Sequence, residues 1–298
     1  MDNDLVVKHN ALTTASYSLG LVEQRLILMA IILIRKKMHN MELDCIAFNA
    51  PIQITAESYI NAFGVSQSTG YETLKSACKS LFSRQFSYLE TRERGVAHKT
   101  TRWVSDIAYI DNSATIEFTF APSVIPLITY LEKHFTSYEL QQVASLSSSY
   151  AIRLYELLIQ WRSTCETPFF RLMEFRKKLG IDDDKYQRMG QFKEKVLDLA
   201  ITQINMHTNI TASYEQQKRG REITGFKFSF EFKKNYNSKN KNSDLGTKEE
   251  VFPLPLAAPQ TKQSQAAIDA REKSAEFEHL KRLAELGGVP VETLLKRP

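Results

Sequence analysis

Four phenylalanines at alternate positions, Phe226, Phe228, Phe230 and Phe232, constrain the fold of this chain more than any other feature. Lys227, Ser229 and Glu231 lie between them. That alternation predicts a strand with one aromatic face for a core and one wet face. Ile210, Ala212 and Tyr214 also alternate with polar residues and predict a partner strand, with residues 216–221 as a polar, basic turn between the two. Upstream, Phe192, Val196, Leu197, Leu199, Ala200, Ile201 and Ile204 fall at mostly helical spacing, which predicts a helix over 191–206 with one buried face. Lys185, Arg188, Lys193 and Lys195 cluster at and just before its start.

A helix with a basic N-terminus, followed by a hairpin with a basic tip, is what a winged helix needs to hold duplex DNA. The helix lies in the major groove and the tip reaches a neighbouring phosphate or groove. Residues 185–234 carry ten Lys and Arg against five Asp and Glu. Cations at the two projecting points would neutralise phosphates and release counterions. The bland alternative is a helix and hairpin with a solvated basic face.

The chain has 298 residues, enough for about two domains. Its 43% hydrophobic content supports well-formed cores, and a net charge of +5 permits a polyanionic partner without demanding one. Cys45, Cys78 and Cys165 are isolated, with no CxxC or Cys/His cluster, so free thiols in a reducing compartment and no metal site are expected. Charged residues follow Met1 and no signal-peptide core is present. The longest apolar run, Leu26 to Ile34, is too short to span a bilayer and suits a buried helix. A cytoplasmic protein with no membrane partner is expected.

Along the chain, residues 5–16 form an entry segment with no strong pattern, and 17–38 predict a long, largely buried helix whose C-terminal end is favoured by Arg35, Lys36 and Lys37. Residues 41–51 read as a loop or short strand. Thr55 caps a second helix ending at Phe63-Gly64, and a third runs from about Val65 to Phe82. Helix, glycine-containing turn, helix is a helix-turn-helix signature of low specificity. Strands are expected at 86–91, 101–110 and 114–120, with a tip at Arg92-Glu93-Arg94-Gly95 and a turn at Asp111-Asn112-Ser113. Residues 124–135 read as a connecting helix, Thr136 as the cap of a short helix, 148–161 as a strong helix, and 172–179 as a helix ending at Gly180. The same order of elements thus recurs, as an inferred structural repeat rather than a repeat of sequence. Beyond residue 234 an Asn/Ser/Lys-rich linker, a proline-containing stretch and a helix-prone segment over 263–286 predict a flexible tail.

Four stretches together give a specific likeness: 10–12 through 21–26; Phe135-Thr136-Ser137-Tyr138; 149–158; and Phe192-Lys193 through Val196-Leu197, Ala200-Ile201 and Ile204-Asn205. They span roughly residues 5–234. The chain resembles the iteron-binding replication initiators of theta-replicating plasmids. The resemblance implies an α+β fold of two tandem winged-helix domains: 5–130 for dimerisation and accessory DNA contact, and 131–234 as the main DNA-reading domain, with 235–298 as the flexible tail. It also implies monomers on direct origin repeats and dimers repressing their own gene at an inverted repeat, with host initiator and replicative helicase as partners. This chain departs from the pattern at Glu194, where the family often has another basic residue, at Leu199, where proline is common, and at Gly190, which weakens the helix start. A carboxylate at 194 can accept from cytosine N4 or repel a phosphate.

The residues expected to read DNA are Lys185, Arg188, Gln191, Lys193 and Lys195, with Gln191 suited to adenine and Arg188 or Lys193 to guanine. Lys218, Arg219 and Arg221 are expected at the wing tip on phosphates. In the first domain Ser68, Tyr71 and Lys75 share one side of the third helix, and Arg92, Arg94, Lys99 and Arg102 lie at its hairpin. Phosphate contact and ordinary surface are both open for that group. Arg153 and Tyr155 match the family motif and are read as structural, Arg153 near the domain junction; Trp103 and Trp161 are read as core.

Enzymatic rivals find no support. A rolling-circle nuclease needs a close histidine pair and a tyrosine nucleophile, and His9, His39, His98, His134, His207 and His279 contain no His-x-His. An ATPase needs a glycine loop ending in Gly-Lys-Ser/Thr; Gly220 and Gly225 have its separation, but Phe226-Lys227 follows in a hairpin. No cofactor is expected. The remaining alternative is a winged-helix transcription regulator without initiator activity.

Overall fold

The computed structural model describes residues 4–40, 50–92, 95–129, 131 and 134–234. The tail expected beyond 234, Arg94 of the first hairpin tip and residues 41–49 of the expected loop lie outside them.

The chain opens with strand β1 (Leu5–His9), a single turn α1 (Asn10–Thr13) and the short strand β2 (Ser16–Tyr17). The buried helix α2 (Leu21–Asn40) follows. The entry segment is therefore ordered structure, and the helix begins four residues later than its sequence pattern suggested. Glu23 marks the start: its carboxylate accepts from the Gly20 N–H at 2.6 Å, satisfying a donor that the helix leaves unpaired.

Next come β3 (Ile52–Thr55), α3 (Ala56–Phe63) and α4 (Gln67–Leu81). Thr55 Oγ1 accepts from the Ser58 N–H at 3.1 Å, and Gly64 takes φ +61° as its N–H bonds back to Ile60 O. Gly70 lets the two helices close up, since a Cβ there would lie 2.6 Å from Ile60 Cγ1. The strands are β4 (Gln85–Arg92), β5 (Gly95–Arg102), β6 (Val104–Ile110) and β7 (Thr115–Phe120). The single strand expected over 101–110 is thus two strands in two sheets, ordered β2-β4-β5 and β3-β7-β6. The break falls at Trp103, which is fully buried against Phe86 (centroids 4.6 Å) and Tyr17 (5.0 Å). Driving that indole into the core turns the chain from one sheet to the next.

The connecting helix expected over 124–135 is absent among the described residues. Pro126 lies in a single 3₁₀ turn, Ile125–Leu127, and the chain then enters strand β8 (Phe135–Glu139). Thr136 is a strand residue rather than a cap. β8 pairs antiparallel with β1, Val7 opposite Ser137, so the chain's entry segment is fastened beside the start of the second half.

The second half runs α5 (Gln141–Ala144), α6 (Ser149–Ile159), β9 (Phe170–Arg171), α7 (Leu172–Lys178), a helical run over 189–207, and the hairpin β10 (Ile210–Arg219) and β11 (Glu222–Phe232). Phe226, Phe228 and Phe230 are buried as the alternation predicts, and Phe175 and Phe192 complete an aromatic core with neighbouring centroids 5.2–6.3 Å apart. Phe232, at the strand's end, stays 46% exposed. Gly225 permits close strand packing, since a Cβ there would sit 2.0 Å from Phe170 O. The architecture is two tandem winged helices in an α+β chain.

Candidate nucleic-acid interface

The helical run over 189–207 is not one regular α-helix. Its first turn is α8 (Met189–Phe192), its middle is a π-helical segment (Lys193–Asp198), and its end is α9 (Leu199–His207). The buried residues include Phe192, Val196, Ala200 and Ile204, every fourth position. In a regular α-helix each four-residue step drifts by about 40° around the axis. A π segment takes more residues per turn and cancels much of that drift, so all four side chains stay in the core. Its consequence is on the outside. Leu199, expected on the buried face, is 42% exposed, on the solvent side with Gln191, Lys195 and Thr202.

The helix is fastened to the wing at three heights. Near the start, Lys193 Nζ donates to Gln216 Oε1 at 3.3 Å and lies 5.6 Å from the Tyr214 ring centroid. In the middle, Tyr214 OH donates to Asp198 Oδ1 at 2.7 Å; burial first, then that bond, pushes the phenol well up. Near the end, the Asn205 side chain pairs with Ala212 as a strand would, donating to its O at 2.9 Å and accepting from its N–H at 2.6 Å. Lys233 Nζ closes the C-terminus on the carbonyls of Asn205 (2.5 Å) and Thr208 (2.8 Å), where the helix dipole favours a cation.

The loop before the helix is also held. Arg176, largely buried, donates to Tyr186 O at 3.0 Å and Lys185 O at 2.5 Å and stacks over Phe192. Those bonds fix Tyr186 at φ +49°, a conformation a non-glycine residue rarely adopts. Gly180, at φ +72°, ends α7 where a Cβ would lie 2.0 Å from Tyr17 O, so the turn packs directly on the entry segment.

Behind the helix sits a buried charged network. Arg153 is 0% exposed. It donates to the carbonyls of Thr13 (3.0 Å), Ala15 (3.1 Å) and Lys178 (2.9 Å), to Tyr17 OH (2.5 Å) and to Glu156 Oε2 (2.8 Å). Glu156 Oε1 also accepts from Lys8 Nζ and Tyr138 OH, each at 2.5 Å. Burial alone would push the Glu156 carboxyl up; the charges of Lys8 and Arg153 outweigh it and hold it below its ordinary value. Burial pushes the Lys8 ammonium down, with Glu156 acting against it. Arg153 is structural at the junction, as its sequence context suggests, and Tyr155 packs in the core with its hydroxyl on Asn209 at 3.0 Å.

The expected site residues divide into two groups. Arg188, Gln191, Lys218, Arg219 and Arg221 are exposed on the helix start and wing. The turn is shorter than expected: Lys218 and Arg219 belong to β10, a bulge falls between Gln217 and Lys218, and Gly220 (φ +63°) and Arg221 make the tip. Lys185 is paired with Asp182 at 2.7 Å and Lys195 with Glu194 at 2.7 Å; each carboxylate's hydrogen bond raises its partner's pKa. In the first domain, Ser68, Tyr71 and Lys75 are exposed on α4, with Lys75 held by Asp111 at 2.5 Å beside Tyr109. Lys99, 3.7 Å from Glu90, and Arg102, over Phe82, lie on the β4–β5 hairpin, where Arg92 ends β4. No group of His, Cys, Asp and Glu able to hold a metal occurs among the described residues, and none of the described helices is long and apolar enough to cross a membrane.

A tandem pair of winged helices defines the class, and comparison with known proteins gives the family. The description "Initiator Replication protein, WH1" matches residues 5–159, and "Initiator Rep protein, WH2" matches residues 171–230. The chain belongs to this family of replication initiator proteins. It is 24% identical over 221 residues to an uncharacterized 27.6 kDa protein of Escherichia coli, spanning 72% of this chain and 91% of that one. The crystal structure of Pi initiator protein in complex with iteron DNA matches with a TM-score of 0.55 at 21% identity, over 78% of this chain and 99% of that one, a likeness of fold. The WH1 domain of MSBI1.176, a replication protein isolated from a multiple sclerosis patient, is 55% identical over 38% of this chain and 81% of its own, with a TM-score of 0.32.

Proposed function

We propose that the protein is a sequence-specific duplex-DNA-binding initiator of plasmid replication, with the 131–234 region as its main reader and the 5–130 region for dimerisation and accessory contact. The observation that carries this reading is the helix over 189–207 stapled to its wing, with Arg188, Lys218, Arg219 and Arg221 left to solvent. A pre-set helix and wing enter adjacent grooves without first being ordered. Arg188 or Lys193 is assigned to guanine and Gln191 to adenine, which their donor geometry suits. Lys218, Arg219 and Arg221 take phosphates, while Lys185 and Lys195 exchange Asp182 and Glu194 for phosphate oxygens. Ser68, Tyr71, Lys75, Arg92, Arg94, Lys99 and Arg102 make the accessory contacts.

The repeated origin sequences bound by such a reader are iterons, the DNA named with the Pi initiator whose fold this chain shares. Several copies bending the origin would help an adjacent AT-rich segment to melt. Host initiator and replicative helicase are then recruited, and a dimer on an inverted repeat represses the protein's own gene. No bond is made or broken by the protein in this scheme. Deleting its gene from the replicon tests it: replication should cease and return when the protein is supplied in trans. Altered expression at unchanged copy number would instead make it a transcription regulator.

A further inference from the structure

The DNA-reading helix carries an apolar side chain that its charged neighbours do not explain. Leu199 is 42% exposed. The π segment places it outside the core, on the solvent side with Lys195 one turn before and Thr202 one turn after. It lies eight residues beyond Gln191; a regular α-helix would put it about 12 Å along the axis and the π segment shortens that somewhat, to roughly three base steps. That is the reach over which one helix reads successive bases. The polar groups that flank it are engaged: Asp198 with Tyr214 OH, Thr202 Oγ1 with the Asp198 carbonyl at 2.8 Å, and Lys195 with Glu194 at 2.7 Å. What this part of the helix offers a major groove is hydrocarbon. The one apolar group on a base edge there is the thymine C5-methyl.

Resting on the proposed DNA-reading role of this helix, we propose that Leu199 is a specificity-determining residue that packs on a thymine methyl about three base pairs from the contact of Gln191. Thymine is thereby preferred over cytosine at that step, and over uracil, which differs only by the methyl.

The test uses the full-length chain and the sequence it enriches from random duplex DNA. Each thymine is replaced in turn by uracil, and binding is measured for wild type, Leu199→Ala and Leu199→Met. Alanine and methionine are both good helix formers, so neither endangers the exposed position. Wild type should lose about fourfold in affinity at one or two thymines, the worth of one methyl removed from water. Leu199→Ala should bind thymine and uracil alike there and keep wild-type sensitivity elsewhere, while Leu199→Met retains the preference. An enriched sequence whose thymines are all indifferent to uracil, or equally sensitive in Leu199→Ala, overturns the assignment and leaves the DNA-reading role standing. Failure to enrich any sequence overturns both.

Discussion

The two winged helices carry similar cations and hold them differently. In the first, Lys75 is clasped by Asp111, Lys99 faces Glu90, and Arg102 donates to the Phe82 carbonyl while stacking on its ring. In the second, Lys185 and Lys195 are likewise paired, with Asp182 and Glu194, but Arg188, Lys218, Arg219 and Arg221 are exposed and make no side-chain hydrogen bond or ion pair among the described residues. A cation already paired with a carboxylate must give up that partner before it takes a phosphate, so it contributes less to binding. A cation held only by water releases counterions at full effect. The difference assigns the larger share of the proposed DNA affinity to the second domain, from an arrangement of carboxylates rather than a count of basic residues.

The largest test is at the junction that serves both. Glu156→Gln leaves Lys8 and Arg153 buried with their charges uncompensated, and should cost about 3–5 kcal/mol in chemical unfolding. Its pH dependence has a definite sign. The folded carboxyl sits below the ordinary value of 4.5, so its contribution is complete above that pH and lost as pH falls through the lower folded value. Wild type should therefore weaken below about pH 4.5 more steeply than Glu156→Gln. Equal acid slopes would remove the ion network from the explanation.

Next in size is the wing. Replacing Lys218, Arg219 and Arg221 together by alanine should reduce the slope of log affinity against log salt by about 2 to 3. The pair Lys75→Ala and Lys99→Ala should reduce it by less than about 1, since both cations begin paired. Equal slopes per cation would erase the contrast between domains. Smaller again, Asn205→Ala strips both hydrogen bonds from the buried Ala212 backbone and should cost about 1–3 kcal/mol of stability. The smallest effect is expected from Asp111→Asn, which releases Lys75 and should tighten non-specific DNA binding by no more than about threefold. A loss of binding would mean that the Asp111 pair positions Lys75 instead of masking it.

Local signals in the sequence predict the helix-turn-helix, the aromatic hairpin and the core role of Trp103, and the family motif marks Arg153 as structural. Contacts of long range and mixed polarity were hidden. β1 pairs with β8 some 130 residues away, and its second buried side points Lys8 inward, so Leu5–His9 shows no alternation to read. Beyond Tyr214 both faces of β10 are largely wet, and a strand without an apolar face looks like a turn. Helical spacing puts Leu199 in the core because it assumes a constant 3.6 residues per turn, which the π segment breaks. For the candidate site, residue types marked which side chains are basic; which of them are already paired depended on carboxylates brought close by the fold.

The most direct measurement is a binding selection from random duplex DNA with the full-length chain, followed by salt-series anisotropy on the enriched sequence. One motif of about two helical turns is expected, with Arg188→Ala and Lys193→Ala relaxing its specificity and Lys218→Ala weakening all sequences alike. No enriched motif, with binding lost by moderate salt, would contradict a DNA-reading second domain and leave its basic face as a non-specific surface.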